Sequence, residues 1–266
     1  MRFVIGGATA ATELKRLLAN PDTANIVEAN SVTLAAPIVR PQRNVFCVGK
    51  NYMDHVLEVA NSLLQKEGAA ETSTVSKPKY PQFFSKVPET VIATHDNIPS
   101  HSTLTRWLDY EVELAVVIGK EGRDIAVEDT EQHIFGYSIA NDVSARDIQK
   151  RHVQFMKGKC LDGTCPMGPY ILLKDSVQGD IQDARIQCWV NGTLRQNSRT
   201  SQMIFSVSEI IHQLSQGMTL YPGDIILTGT PAGVGFAMDP PEVLQAGDVV
   251  RMEIEELGVL ENTVAE

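Results

Sequence analysis

The sequence predicts a β-dominated α+β protein. Two observations carry that class. Short apolar runs closed by Gly, Pro or Asn recur from residue 45 to the end, while helical periodicity appears in few places. A composition of 43% hydrophobic and 21% charged residues over 266 positions can bury a real core. The length lies between one and two domains. A small N-terminal segment, 1–42, is expected ahead of one large domain, 43–266.

Residues 1–40 read as a strand, a turn at Gly6-Gly7, a helix over 12–19 and a strand over 31–35. Pro37 and Pro41 mark a connector. Val45-Phe46-Cys47-Val48-Gly49 reads as a buried strand, and a helix is expected over 53–64. Residues 65–82 are polar, small and Pro-flanked. They read as a lid or binding loop, or equally as a plain surface insertion. Strands follow over 114–119, 135–140, 170–174 and 186–190, the last closed by the hairpin pair Asn191-Gly192. A helix over 206–216 places Ile210, Ile211 and Leu214 on one face. A strand over 225–228 and a final pair over 249–255 and 259–264, turning at Gly258, complete the chain.

The chain carries 23 basic and 33 acidic residues, a formal net charge of −10. Nucleic-acid binding needs a basic footprint, so no such partner is expected. Arg146, Lys150, Arg151, Lys157 and Lys159 gather in one stretch. That stretch is either a solvated helix face or a local site for a small anion. Cys47, Cys160, Cys165 and Cys188 form no C-x-x-C pair, which predicts reduced thiols rather than a disulfide or zinc scaffold. No apolar run reaches the roughly 18 residues of a membrane span. The apolar start passes at once into Glu13-Leu14-Lys15-Arg16, unlike a signal peptide. A cytoplasmic protein with no membrane partner is expected.

Four patterns carry chemistry. In Asp109-Tyr110-Glu111-Val112-Glu113-Leu114, Glu111 and Glu113 fall on one face of a strand. Two carboxylates entering a buried strand repel each other and resist desolvation, and a bound cation removes both problems. A frayed strand start with both glutamates in water is the plainer reading. In Asn141-Asp142-Val143-Ser144-Ala145-Arg146-Asp147-Ile148-Gln149, a helix starting at once would align Asp142, Arg146 and Gln149. An acid, a guanidinium and an amide suit a metal with an anionic ligand; an ordinary helix N-terminus would also explain them. In Asn51-Tyr52-Met53-Asp54-His55-Val56-Leu57-Glu58, His55 and Glu58 are three apart and touch on a helix. A carboxylate that holds an imidazole suits a general base, although His-x-x-Glu alone is common. Thr228-Gly229-Thr230-Pro231-Ala232-Gly233-Val234-Gly235 lacks the Gly-Lys-Ser/Thr end of a phosphate loop. It reads better as a tight loop that brings Thr230 and backbone N–H groups to a ligand.

Together and in this order, these four motifs resemble the fumarylacetoacetate hydrolase family, from about residue 43 to the end. The closing stretch from Gly247-Asp248-Val249-Val250 to Leu260-Glu261-Asn262 fits the same pattern, and the likeness is to the shorter bacterial branch. Cys160 after the lysine and the looser Leu161-Asp162-Gly163-Thr164-Cys165-Pro166 depart from it.

The resemblance implies a mixed β-roll catalytic domain, with the small N-terminal α/β segment ahead of it, and usually a homodimer. It implies magnesium or manganese held by Glu111, Glu113 and Asp142, in keeping with the preference of hard cations for oxygen ligands. His55 and Glu58 would activate water. Lys159 would stand beside the metal-bound substrate. Arg146, Gln149, Thr230 and Tyr52 would bind the substrate. The leading expectation is hydrolytic C–C cleavage of a β-diketo acid of the acylpyruvate type through an enolate. Decarboxylation of oxaloacetate or another 2-keto diacid, isomerisation in aromatic catabolism and dehydration of a keto-deoxy sugar acid use the same site. A non-catalytic metal-binding homologue is the alternative from another class.

Overall fold

The computed structural model describes residues 2–22, 26–28, 31–67 and 76–266. Strands β1 (Val45–Gly49), β2 (Gln82–Lys86), β3 (Val91–Ile92) and β4 (Asn97–Pro99) come first. The short β5 (Leu108–Asp109) leads into β6 (Val112–Ile118), β7 (Ile134–Asn141), β8 (Ser144–Ala145) and β9 (Cys165–Leu173). The last third adds β10 (Arg185–Val190), β11 (Thr193–Arg199), β12 (Ile225–Leu227), β13 (Val249–Ile254) and β14 (Gly258–Ala265). The α-helices are α1 (Arg2–Ala19), α2 (Met53–Glu67), α3 (Arg146–Arg151), α4 (Met156–Lys159) and α5 (Val207–Ser215).

The strands form a seven-stranded sheet in the order β2-β1-β12-β6-β7-β9-β3 and a five-stranded sheet in the order β11-β10-β13-β14-β4. Three pairs are parallel, β1 with β12, β3 with β9 and β14 with β4, so both sheets are mixed. The expected β-dominated α+β class is therefore what the chain adopts. Strand β6 is buried along its whole length. Val112, Leu114, Val116 and Ile118 pack with Ile186, Met252, Ile254 and Leu260 of the second sheet. Ala115 and Val117 face a second cluster with Val45, Cys47, Ile225 and Leu227. A strand enclosed on both faces needs apolar residues at every position, and that is the run the sequence carries. Helix α5 adds Ile210 and Ile211 to the first cluster. It starts in a capping box: Ser206 accepts the Glu209 N–H and the Glu209 side chain returns to Ser206. Such a cap is worth about 1 kcal/mol.

The hairpin signal holds. Asn191 and Gly192 both have positive φ, 50° and 77°, as the tight turn between β10 and β11 requires. The N-terminal reading does not hold. One helix runs from Arg2 through Gly6-Gly7 to Ala19, where a strand and a turn were expected. A short apolar run is ambiguous between strand and helix, and two glycines inside a helix cost only about 1 kcal/mol each. Residues 32–36 adopt no strand either, and the chain enters the second core cluster at Ala36 and Ile38. Of the expected loop over 65–82, residues 68–75 lie outside the described residues. Among the described residues, no helix is long and apolar enough to cross a membrane.

Candidate active site

Two adjacent strands bring the carboxylates together. Asn141 ends β7 opposite Val112 at the start of β6. Its side-chain oxygen accepts the Glu111 N–H at 3.0 Å, and the next residue, Asp142, donates its N–H to the Glu111 carbonyl at 2.9 Å. Glu111 and Glu113 share the parity of Ala115 and Val117, so both turn to the same face of the sheet. One oxygen each of Glu111, Glu113 and Asp142 lies within 4.8 Å of the others, and all three residues are buried.

Three cations surround this group. Lys159 Nζ is 2.7 Å from Glu111 Oε2 and 2.7 Å from Asp142 Oδ2. Arg146 reaches Glu111 Oε1 at 2.6 Å with Nη1 and Asp109 Oδ2 at 2.9 Å with Nε. Lys86 Nζ stands 2.9 Å from Asp142 Oδ1. Glu113 instead accepts the Gly229 N–H at 2.7 Å. Burial opposes the Glu111 charge, but Lys159, Arg146 and His55 outweigh it and hold its carboxyl down at about 2. Glu113 goes the other way. Burial, then the charges of Asp142 and Glu111, push its carboxyl well above the usual range. Burial also opposes the Lys159 charge, yet Asp142 and Glu111 hold its ammonium above the ordinary lysine range.

The residues present fit a hard divalent cation. Lys86 donates to the carbonyls of Val143 and Lys159 and to Thr164 Oγ1, which uses its three protons. Asp142 Oδ1 is therefore buried beside a cation yet accepts no hydrogen bond. Each carboxylate oxygen of Glu111 and Asp142 that takes a lysine or arginine proton keeps a second lone pair. Three carboxylates with oxygen donors only are a magnesium- or manganese-type set rather than a zinc or copper one.

A cavity of about 610 Å³ opens over these groups. His55, Glu111, Glu113, Arg146, Gln149, Lys159 and Thr230 line it, with Val48, Val59, Phe84, Trp107, Phe155 and Phe236 as apolar wall. Five further expected site residues, His55, Arg146, Gln149, Lys159 and Thr230, thus join the acidic pair at one cavity. Phe155 meets Phe84 edge-on at 5.6 Å, and the Arg146 guanidinium lies 4.4 Å from the Phe236 ring centre. His55 sits on the first turns of α2, with Nδ1 3.4 Å from Glu58 Oε2. Glu58 Oε1 accepts the Gly233 N–H at 2.9 Å, which ties α2 to the loop that carries Thr230. The buried Asn51 fixes the start of α2, donating to Thr228 O at 2.7 Å and accepting the Phe205 N–H at 2.8 Å.

Two expectations differ in detail. Asp142, Arg146 and Gln149 do not share a helix face. Ser144 and Ala145 pair with Asp109 and Leu108, so the helix starts only at Arg146. The two side chains still meet, Arg146 Nη1 donating to Gln149 Oε1 at 3.3 Å. Tyr52 does not line the main cavity. It borders a small separate pocket with Asn197, Pro231 and Ala232, its hydroxyl buried without a partner. Sequence reasoning missed Lys86 and Asp109. Asp109 accepts the N–H groups of Tyr110, Gly235 and Phe236 as well as Arg146 Nε. It stood inside the quoted Asp-Tyr-Glu motif, whereas nothing near Lys86 in sequence marks it.

Residues 44–265 match the family model described as Fumarylacetoacetate (FAA) hydrolase C-terminal. The chain belongs to the fumarylacetoacetate hydrolase family. Among its relatives, oxaloacetate tautomerase YisK of Bacillus subtilis is 47% identical over 235 residues, 88% of this chain and 74% of that protein. The mitochondrial oxaloacetate tautomerase FAHD2B of Bos taurus is 43% identical over 268 residues, 99% of this chain and 79% of that protein. Among solved structures, a fumarylacetoacetate hydrolase from Exiguobacterium antarcticum superposes with a TM-score of 0.76 at 47% identity, over 88% of this chain and 78% of that one. A 2-hydroxyhepta-2,4-diene-1,7-dioate isomerase from Mycobacterium marinum gives 0.72 at 35% identity, over 91% and 81%. The family's mixed β-roll is thus the fold of this chain, and the chain is an enzyme of that family.

Proposed function

We propose that the chain interconverts the keto and enol forms of a small 2-keto diacid, oxaloacetate first, with a divalent metal at Glu111, Glu113 and Asp142. The observation that carries this reading is the joint lining of one cavity by Glu111, Glu113, Lys159, Arg146 and His55, with Asp142 clustered against the two glutamates. The 47% and 43% identical relatives, named as oxaloacetate tautomerases, support this reaction among those that share an enolate.

When bound, Mg²⁺ or Mn²⁺ supplies Lewis-acid polarisation of the substrate's keto group. Arg146 lines the cavity with its guanidinium held by Asp109 and Glu111, and it takes the substrate carboxylate. Gln149 and Thr230 complete that contact. His55, oriented by Glu58, removes the proton from the carbon next to the keto group to give the enolate and delivers it to the enolate oxygen to complete the enol; in reverse it carries the proton from that oxygen back to carbon. The Lys159 ammonium stabilises the negative charge that develops on the enolate oxygen. Tyr52, walled off from the cavity, acts only through packing. The segment before residue 43 takes no part in the chemistry. A homodimer and a cytoplasmic location are part of the same proposal.

The second reading is hydrolytic C–C cleavage of an acylpyruvate, in which His55 deprotonates water instead of carbon. The wall of Phe84, Trp107 and Phe155 favours it, because a four-carbon diacid offers no apolar tail to cover those rings. Both readings are tested with chelator-stripped protein, with and without Mg²⁺ or Mn²⁺. Keto–enol exchange of oxaloacetate is followed by absorbance beside hydrolysis of acetylpyruvate and fumarylpyruvate. Metal-dependent exchange without cleavage supports the first reading, and metal-dependent pyruvate release supports the second. No turnover of any member overturns both.

A further inference from the structure

Gln196 is wholly buried on β11, where Thr193, Leu194 and Asn197 are exposed. The β10–β11 register shifts here: Trp189 pairs with Leu194 and Cys188 with Gln196, so Arg195 is an extra residue. A bulge of this kind re-aims the side chain that follows it. The Gln196 side chain leaves its own sheet and reaches the cavity wall. Its Oε1 accepts the Val112 N–H at 3.0 Å, between the two glutamates at the start of β6. Its Nε2 donates to Thr230 Oγ1 at 2.8 Å and to the Pro231 carbonyl at 2.8 Å.

These contacts leave one orientation for the amide. A backbone N–H only donates and a carbonyl only accepts, so Oε1 must face Val112 and Nε2 must face Pro231. Both amide protons are then engaged. Thr230 Oγ1 is an acceptor toward Gln196, and its own proton has to go elsewhere. Among the described residues, the Thr230 hydroxyl gives that proton to no protein group, and Thr230 lines the cavity.

We propose that Gln196 is a positioning residue that sets the hydrogen-bond polarity of Thr230, turning its hydroxyl proton into the cavity as a donor to a substrate oxygen. The inference rests on the reading of the cavity as a metal-assisted 2-keto acid site. It adds that Gln196 fixes Thr230 as the donor in its contact to the substrate oxygen, and that the five-stranded sheet supplies this selectivity.

Gln196→Glu tests it. The glutamate keeps the length of the side chain and still accepts the Val112 N–H, but it cannot donate. The Thr230 hydroxyl then turns toward the new carboxylate and away from the cavity. Oxalate, a stand-in for the carboxylate-keto end, is titrated calorimetrically with Mg²⁺ at saturation, and Mg²⁺ alone is titrated beside it. Gln196→Glu and Thr230→Val should each weaken oxalate by on the order of tenfold or more, as for loss of a hydrogen bond to a charged group. Mg²⁺ alone should bind unchanged. The double variant should lose no more than one single variant. Multiplying losses overturn the inference, because a plain charge effect of a glutamate at 196 would persist without the Thr230 hydroxyl. Gln196→Met carries no charge and frees the Pro231 carbonyl as an alternative acceptor for Thr230, so it should show the same loss even where Gln196→Glu does not fold. Native oxalate binding retained in a folded Gln196 variant overturns this inference alone. Failure of the native chain to bind oxalate with Mg²⁺ overturns it together with the functional reading.

Discussion

Lys86 Nζ and Asp142 Oδ1 stand 2.9 Å apart, both wholly buried, with no hydrogen bond between them. The lysine gives its protons to Val143 O, Lys159 O and Thr164 Oγ1, so it contributes charge rather than a proton to the carboxylate. Removing one partner of a buried pair leaves the other uncompensated, at about 3–5 kcal/mol. Lys86→Met should therefore lower the stability of the metal-free protein by about that amount in urea denaturation. Added Mg²⁺ should restore part of the loss, since binding to the folded state alone stabilises it. A loss below about 1 kcal/mol would mean that Lys159 by itself balances Asp142.

The raised carboxyl of Glu113 predicts the pH dependence of metal binding. Burial, Asp142 and Glu111 make Glu113 keep its proton to higher pH than an ordinary glutamate. A divalent cation has to displace that proton. Mg²⁺ affinity should then rise with pH through the range where Glu113 titrates and level off above it. On the acid side of that range, binding should release up to one proton. Calorimetry in two buffers of different ionisation enthalpy measures the release. Glu113→Gln should bind weakly at every pH and show no such slope. A flat affinity in the native chain would remove Glu113 from the ligand set.

How much of this was readable before the structure depends on sequence distance. The two glutamates and the apolar run of β6 are neighbours in the chain, so their shared face follows from the period of a strand. The His55–Glu58 contact follows from helical spacing in the same way. Lys86 reaches Asp142 from 56 positions upstream, a pairing that arises only because β2 joins the sheet edge beside β1. Gln196 is equally opaque, since an alternating polar strand does not announce a bulge. The expected helix at Asp142 failed for a related reason. Residues 144–145 are taken into a two-stranded pairing with 108–109, and no local preference encodes that. The helix at Arg2–Ala19 was lost to the ambiguity of the short apolar run Phe3-Val4-Ile5.

His55 and the carboxylates should separate cleanly under mutation. His55 lines the cavity but is not one of the three clustered carboxylates. His55→Ala should lower kcat by about 10²- to 10⁴-fold, the usual contribution of a general base. Mg²⁺ titration of the same variant should match the native protein. Glu58→Gln should fall between the two in rate, because His55 Nδ1 loses its carboxylate partner while an amide oxygen can still accept the Gly233 N–H. Near-native turnover by His55→Ala would show that another group moves the proton.

Gly229 joins backbone conformation to the metal site. Its φ of +98° lies in the region that disfavours side chains, and an added Cβ would stand 2.7 Å from Asn51 Cβ and 3.0 Å from the Val48 carbonyl. The N–H of the same residue donates to Glu113 Oε2 at 2.7 Å. Gly229→Ala should therefore act twice. Strain should destabilise the fold by about 1–3 kcal/mol, and the shifted loop should weaken Mg²⁺ binding by pulling a donor from Glu113. Gly217 supplies the control, with a φ of +70° and nothing within 4 Å of an added Cβ. Gly217→Ala should show destabilisation with native Mg²⁺ affinity. Equal Mg²⁺ affinity in both variants would mean that Glu113 is held without the Gly229 N–H, leaving β6 alone to place it.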